Sequence, residues 1–165
     1  MLVRDAVPAD IPAMMAIAAG AATAAHWARD AYDRVFNSDQ RGPARLALVM
    51  EDDSTVLTPA LAGRPLVGFI VALCAGSEWE IENIVIRNAA QRRGLGMRLL
   101  DEFLDRARAA GAEAVFLEVR ESNRAARAFY QKRGFVESGR RSGYYRDPPE
   151  DAVLCHFRLA PRKKF

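Results

Sequence analysis

Apolar positions in this chain recur at two periods, and the switches between them predict the elements. Leu2 to Arg4 reads as a short strand. Pro8-Ala9-Asp10 starts a helix whose apolar face is Ile11, Met14, Met15 and Ile17. The pattern breaks at His26-Trp27. A second helix is expected from Arg29 to Phe36, with Ala31, Tyr32, Val35 and Phe36 on one side. Asn37-Ser38-Asp39 and Gly42-Pro43 mark a loop. Arg45 to Met50, Pro65 to Ala75 and Trp79 to Arg87 read as strands. A long connection, Glu51 to Gly63, joins the first two and has room for an extended piece at Thr55 to Thr58.

A period of 3.6 then returns. From Gly94 to Ala110, Leu95, Leu99, Leu100, Phe103, Leu104 and Ala107 fall on one helix face, and Gly111 stops it. Val115 to Val119 is a compact strand. Ser122 or Asn123 caps a helix that runs to about Arg133 and closes at Gly134. Phe135 to Ser138 and Val153 to Leu159 are the last strands, with Tyr144-Tyr145 in a loop before the final one. The predicted order is β-α-α-β-β-β-α-β-α-β-β, a mixed α/β class. No repeat or linker interrupts it, so residues 1–165 are expected to form a single domain. The basic tail Arg162 to Lys164 reads as a solvated terminus.

Composition narrows the class. Half the 165 residues are hydrophobic and 27% are charged, as in an ordinary globular protein. The net charge is +3 and the cations are mostly arginine, since lysine occurs only at Lys132, Lys163 and Lys164. That excess shows no basic stripe interleaved with aromatics, so no nucleic-acid partner is expected. Asp5 and Asp10 stand where a signal peptide needs a basic region, and the alanine-rich stretch Pro12 to Ala25 is too weakly hydrophobic to span a bilayer. Cys74 and Cys155 lie in apolar runs without metal-ligand spacing. They read as core thiols of a reducing compartment, so a cytoplasmic location, no metal and no membrane are expected.

The chemistry concentrates after the third long strand. Gln91-Arg92-Arg93-Gly94-Leu95-Gly96 sits between a strand and a helix. Its glycines let backbone approach an anion, and the first helical turn offers unpaired N–H groups and a partial positive charge. Together they form an anion cradle. The turn lacks the GK[ST] ending of a nucleotide P-loop and the third glycine of a dinucleotide fingerprint.

Around it stand Asn83-Ile84-Val85-Ile86, Leu117-Glu118-Val119-Arg120 with Ser122-Asn123, Ala128-Phe129-Tyr130, Arg133-Gly134-Phe135, and Arg140-Arg141 with Tyr144-Tyr145. This ordered set resembles the GNAT superfamily of acetyl-CoA-dependent N-acetyltransferases, and within it the RimI-type ribosomal-protein-alanine N-acetyltransferases. The resemblance is densest from Trp79 to Tyr145. It implies the GNAT fold: a mostly antiparallel mixed sheet, helices on both faces, and a central parallel pair, Trp79–Arg87 and Val115–Val119, that splays around the cofactor.

The resemblance also implies roles. Ile84, Val85 and Ile86 would offer backbone groups to the pantetheine arm of acetyl-CoA and an N–H to the oxyanion. Arg92, Arg93, Gly94, Leu95, Gly96 and Met97 would hold the pyrophosphate, and Asn123 would touch the pantetheine end. Met97 departs from the basic residue often found at its position. Glu118 would be the general base and Tyr130 the donor to the leaving thiolate. Glu118 should point away from Leu117 and Val119, and burial would raise its pKa. A surface or salt-bridged glutamate, paired with Arg120 or another arginine, is the competing reading. Trp27, Tyr32, Tyr144 and Tyr145, with His26, would line the acceptor side; core packing is the competing reading for the aromatics. His156 is expected to be structural.

The implied reaction is direct acetyl transfer in a ternary complex to a protein N-terminal α-amine, in a monomer or homodimer. A small amine or a lysine side chain as acceptor, and a non-catalytic CoA-binding module, remain alternatives. Two departures from the RimI-type pattern, the longer segment Glu51 to Arg64 and the absence of a proline at Asn88-Ala89-Ala90, leave the acceptor open.

Overall fold

The computed structural model describes residues 1–21, 24–37, 43–52 and 65–159. Its strands are β1 (Leu2–Asp5), β2 (Ala44–Glu51), β3 (Leu66–Ala75), β4 (Glu78–Ile86), β5 (Ala114–Arg120), β6 (Val136–Arg146) and β7 (Pro149–Arg158). Its helices are α1 (Ile11–Ala19), entered through a 3-10 turn at Pro8–Asp10, α2 (Arg29–Phe36), α3 (Leu95–Ala109) and α4 (Arg124–Arg133). The strands form one sheet in the order β1-β2-β3-β4-β5-β7-β6. All neighbours are antiparallel except β4 and β5.

The element order agrees with the sequence pattern, and the splayed parallel pair with what the resemblance implies. The expected loop at Ser38 to Gly42 and most of the Glu51–Gly63 connection, with Thr55 to Thr58, lie outside the described residues, as does the basic tail.

Each face of the sheet has its own core. On one face α3 lays down Leu95, Leu99, Leu100, Phe103, Leu104 and Ala107, all buried, against Ile70, Ala72, Val115 and Leu117. Each large side chain buried there contributes about 1.5–3 kcal/mol. α4 adds Tyr130 to the same core. On the other face, Ile11, Met14 and Ile17 of α1 and Tyr32 and Val35 of α2 cover Val49, Phe69, Val71 and Val85. Phe116, Leu154 and His156 remain half-exposed.

β4 carries a bulge. Ile81 pairs with Ala72 and Asn83 with Val71, which leaves Glu82 as an extra residue. The extra residue reverses the alternation. Trp79 and Ile81 face the α3 core before it, and Ile84 and Ile86 pack on that core after it. Glu82 is held by Arg45, whose Nε lies 2.8 Å from Oε2.

The C-terminal hairpin corrects the sequence reading. β6 was expected over Phe135 to Ser138 but runs from Val136 to Arg146, and Tyr144-Tyr145 lie within it rather than in a loop. Nearly every residue of β6 is exposed. Its pairing with β7 rests on backbone hydrogen bonds, which leave no hydrophobic alternation to read. Tyr32 is a second correction, being fully buried in the α2 core rather than on an acceptor surface.

Candidate functional site

The parallel pairing of β4 and β5 runs from Glu78–Ala114 to Ile81–Leu117 and stops there. β4 continues to Ile86 and β5 to Arg120 without each other. A cleft of about 830 Å3 opens between these ends. Its walls are Asn83 to Ile86 of β4 and Leu117 to Arg120 of β5. Past Ile81, the backbone edge of β4 that faces β5 has no strand partner among the described residues, so its N–H and C=O groups, apart from Ile86 O, which accepts from Gln91, can meet a ligand.

The anion turn lies at one end of the cleft. Arg92 has φ +60° and Gly94 φ +74°, so the chain passes twice through the left-handed region before α3 begins. Glycine adopts that conformation freely, whereas an L side chain is strained by roughly 1–2 kcal/mol. The carbonyl of Gly94 accepts from Arg98 N at 3.1 Å, which starts the helix. The N–H groups of the first turn have no partner within the helix. Gln91 Nε2 donates to Ile86 O at 3.0 Å and ties the turn to the end of β4. Arg92, Gly94, Leu95, Gly96 and Met97 line the cleft. Arg93 is not among the lining residues.

The middle of the cleft holds the two candidate catalytic side chains. Leu117 and Val119 are buried in the α3 core, so Glu118 projects to the opposite face as expected. It lines the cleft and its side chain is 14% exposed. It is also salt-bridged: Arg141 Nη1 of β6 lies 2.8 Å from Glu118 Oε1. Arg120 is engaged elsewhere, with Glu150 Oε2 at 3.3 Å. The competing reading of Glu118 as an ion-paired glutamate therefore describes its geometry, with Arg141 as the partner, and the same residue lines the cleft.

Tyr130 lines the cleft from α4, buried between Phe129 at 5.1 Å and Phe135 at 5.5 Å between ring centroids. Burial, and then nearby Cys155 and Tyr145, push its pKa well above the usual tyrosine value. The hydroxyl thus keeps its proton through neutral and mildly alkaline pH. Tyr130 is thus a core aromatic that also reaches the cleft. Asn123 caps α4, its Oδ1 accepting from Ala126 N at 3.1 Å, and it lines the cleft as well.

The far wall comes from the segment between α1 and α2 and from the β6–β7 tip. His26, Trp27 and Tyr145 line the cleft, while Tyr32 and Tyr144 do not. Trp27 packs edge-on to Tyr32 at 5.4 Å, so the buried tyrosine supports the wall from behind. Tyr145 stacks on the Arg120 guanidinium at 4.1 Å. Tyr144 instead interacts with the Glu118 carboxylate, which, with burial, moves its pKa up to about 12.

Several lining residues were missed as site residues. Asn83 is buried and its Nδ2 donates to Ala25 O at 3.1 Å, fastening the His26-Trp27 segment to β4. Gln91 and Lys132 line the cleft too. Asn83 and Gln91 begin the two motifs that were singled out, and Arg141 stands three residues before Tyr144 in a third. Lys132 stands between Tyr130 and Arg133 of the α4 motif.

Among the described residues no cluster of three or more His, Cys, Asp or Glu is placed to hold a metal. No helix there is long and apolar enough to cross a membrane.

The sequence model of the acetyltransferase (GNAT) family matches residues 13–135. The N-alpha-acetyltransferase RimI of Mycobacterium tuberculosis is 42% identical over 97 residues, covering 56% of this chain and 60% of that protein. The ribosomal protein bS18-alanine N-acetyltransferase of Escherichia coli is 36% identical over 91 residues, 54% of this chain and 62% of that protein. The chain thus spans about three fifths of the length of these curated relatives. The crystal structure of the ribosomal-protein-S18-alanine N-acetyltransferase from Escherichia coli superposes with a TM-score of 0.79 at 26% identity, covering 99% of this chain and 98% of that one.

Proposed function

The chain belongs to the acetyltransferase (GNAT) family, and from that premise we propose that it transfers the acetyl group of acetyl-CoA to the α-amine at a protein N-terminus. The N-terminal alanine of a ribosomal protein is the first acceptor to try, because the similar proteins carry that activity in their names. The observation that carries the reading is the cleft where β4 and β5 part, which has the anion turn at one end and Glu118 and Tyr130 along its walls.

The residues present fit the cofactor. The left-handed Arg92 and Gly94 expose backbone N–H groups at the start of α3, where two phosphates of one sign need them. The guanidinium of Arg92 adds charge there. The edge of Ile84 to Ile86 that β5 leaves uncovered offers backbone groups to the amides of a pantetheine arm, apart from Ile86 O, which Gln91 holds. With Oδ1 of Asn123 committed to the α4 cap, its Nδ2 is the group left for a ligand. Acetyl-CoA, when bound, supplies an activated thioester and a thiolate leaving group.

Glu118 acts on the acceptor. An α-amine has a pKa of about 7.7–8.0 against about 10.4 for lysine, so roughly a tenth of it is already neutral at pH 7. A carboxylate at the cleft wall, directly or through one water, takes the remaining proton. Tyr130 acts on the other side. A free thiol has a pKa of about 8.5, and the buried tyrosine holds its proton more tightly than that. Tyr130 therefore donates a hydrogen bond to the departing sulfur, because complete proton transfer would be uphill.

The test is acetyl-CoA with peptides beginning Ala, Ser or Met, polyamines, and blocked peptides whose sole amine is an internal lysine, read by CoA release. Release with the free-N-terminus peptides is expected. Release with the polyamines alone overturns the N-terminal reading, and CoA binding without any turnover points to a binding module.

A further inference from the structure

Glu118 of β5 and Arg141 of β6 meet although β7 lies between their strands. The crossing passes over Ala152, the Cα partner of both Arg120 and Arg141, whose small side chain leaves room for a guanidinium above β7. Tyr144 reaches the same carboxylate. In an unbroken strand residues 141 and 144 would project to opposite faces. Between the pairs Arg141–Ala152 and Tyr145–Glu150, β6 takes four steps while β7 takes two. Gly143, at φ +61° with its N–H donating 2.8 Å to Asp151 Oδ1, makes that bulge. The bulge turns Tyr144 toward the same carboxylate, its ring centroid 5.3 Å from the Arg141 guanidinium and Glu118 the largest influence on its hydroxyl.

Arg141 and Tyr144 thus grip one carboxylate from the edge strand, outside the cleft lining. A carboxylate has about four lone-pair sites, so two donors leave capacity for an amine or a water. On the β4 side, partial burial and the nearby Glu118 and Glu82 raise the pKa of Glu80, so Arg141 is the cation that balances an acidic neighbourhood.

We propose that Arg141 is a positioning residue for the acceptor reaction, clamping the Glu118 carboxylate with Tyr144 so that its remaining lone pairs meet the incoming amine. This rests on the reading of Glu118 as the base. A fixed carboxylate delivers the orientation that an intramolecular proton transfer needs. The guanidinium also places a positive charge beside a cationic acceptor. Its removal should therefore lower kcat without raising the acceptor KM; loss of folded protein would lower the rate equally with and without Glu118, so the Glu118→Gln background separates the two.

The experiment is steady-state kinetics with acetyl-CoA and a short peptide bearing a free N-terminal alanine, on the wild type, Arg141→Gln, Arg141→Lys, Glu118→Gln and the double variant Arg141→Gln/Glu118→Gln. Arg141→Gln should lower kcat roughly tenfold, part of the 10²–10⁴ that a general base supplies, with acceptor KM unchanged or lower. Arg141→Lys should recover part of the loss. Added to Glu118→Gln, the same change should have almost no effect, because coupled residues are not additive. A wild-type kcat in Arg141→Gln beside a slow Glu118→Gln overturns the clamp alone, as does an equal loss in both backgrounds. A wild-type rate in Glu118→Gln overturns the base reading and the clamp with it. Should Arg141→Gln fail to fold, Tyr144→Phe carries the same cycle, with a several-fold kcat loss expected only where Glu118 is present.

Discussion

Ile81 and Leu117 are the last residues at which β4 and β5 pair, and the bulge at Glu82 follows at once. A bulge bends and over-twists its strand. Here it turns β4 away from β5 at the point where the cleft begins. The opening is thus a property of one extra residue in a strand, placed between a wall of backbone groups and the Glu118 carboxylate.

Tyr130→Phe removes the donor to the leaving group while keeping the ring between Phe129 and Phe135. Turnover should fall by about 10²-fold, the scale for removing one hydrogen-bond donor to developing negative charge, with acetyl-CoA affinity and thermal midpoint close to wild type. Isothermal titration and steady-state rates check this.

Alkaline stability should carry the mark of the same burial. All four tyrosines, Tyr32, Tyr130, Tyr144 and Tyr145, have folded pKa values raised above the ordinary 10. The folded chain holds these protons more tightly than the unfolded chain. Their contribution is complete below pH 10 and is lost as pH rises through the folded values. Tyrosinate absorbance should appear at higher pH in buffer than in denaturant, and the denaturation midpoint should fall above pH 10.

Gly68→Ala tests how closely β3 backs the cofactor wall. A Cβ there would lie 2.8 Å from Val85 O and would collide with Ile86 Cδ1. The backbone oxygen cannot swing aside as a side chain can, so β4 must shift. A destabilisation of about 1–3 kcal/mol and weaker acetyl-CoA binding are expected from denaturant melts and titration.

Tyr32→Phe should run the other way. The buried Tyr32 hydroxyl has no hydrogen-bond partner among the described residues, so removing it deletes a desolvated polar group and leaves the ring contacts with Trp27 and Phe69. Stability unchanged or higher by up to about 1–2 kcal/mol is expected, read as the denaturation midpoint.

Much of this was legible along the chain. The six apolar positions of α3 are the six that the structure buries, because a 3.6-residue period leaves one way to face a sheet. The orientation of Glu118 followed from Leu117 and Val119 by period two. The bulge left a signal that alternation alone passes over: the core-facing positions shift from odd at Trp79 and Ile81 to even at Ile84 and Ile86. β6 left none, since an exposed edge strand is held by backbone pairing and its Gly139 and Gly143 imitate a turn. The Arg141–Glu118 pair spans β7, which lies later in the chain than either residue, and the small Ala152 between their strands appears only in the register.

The most direct measurement uses one peptide that carries both a free N-terminal alanine and an internal lysine, incubated with acetyl-CoA and the wild-type protein and mapped by fragmentation mass spectrometry. Acetyl on the α-nitrogen, with little on the lysine at pH 7, is the expected result. Acetyl confined to the lysine, or an unmodified peptide beside acetylated polyamine, would contradict N-terminal transfer.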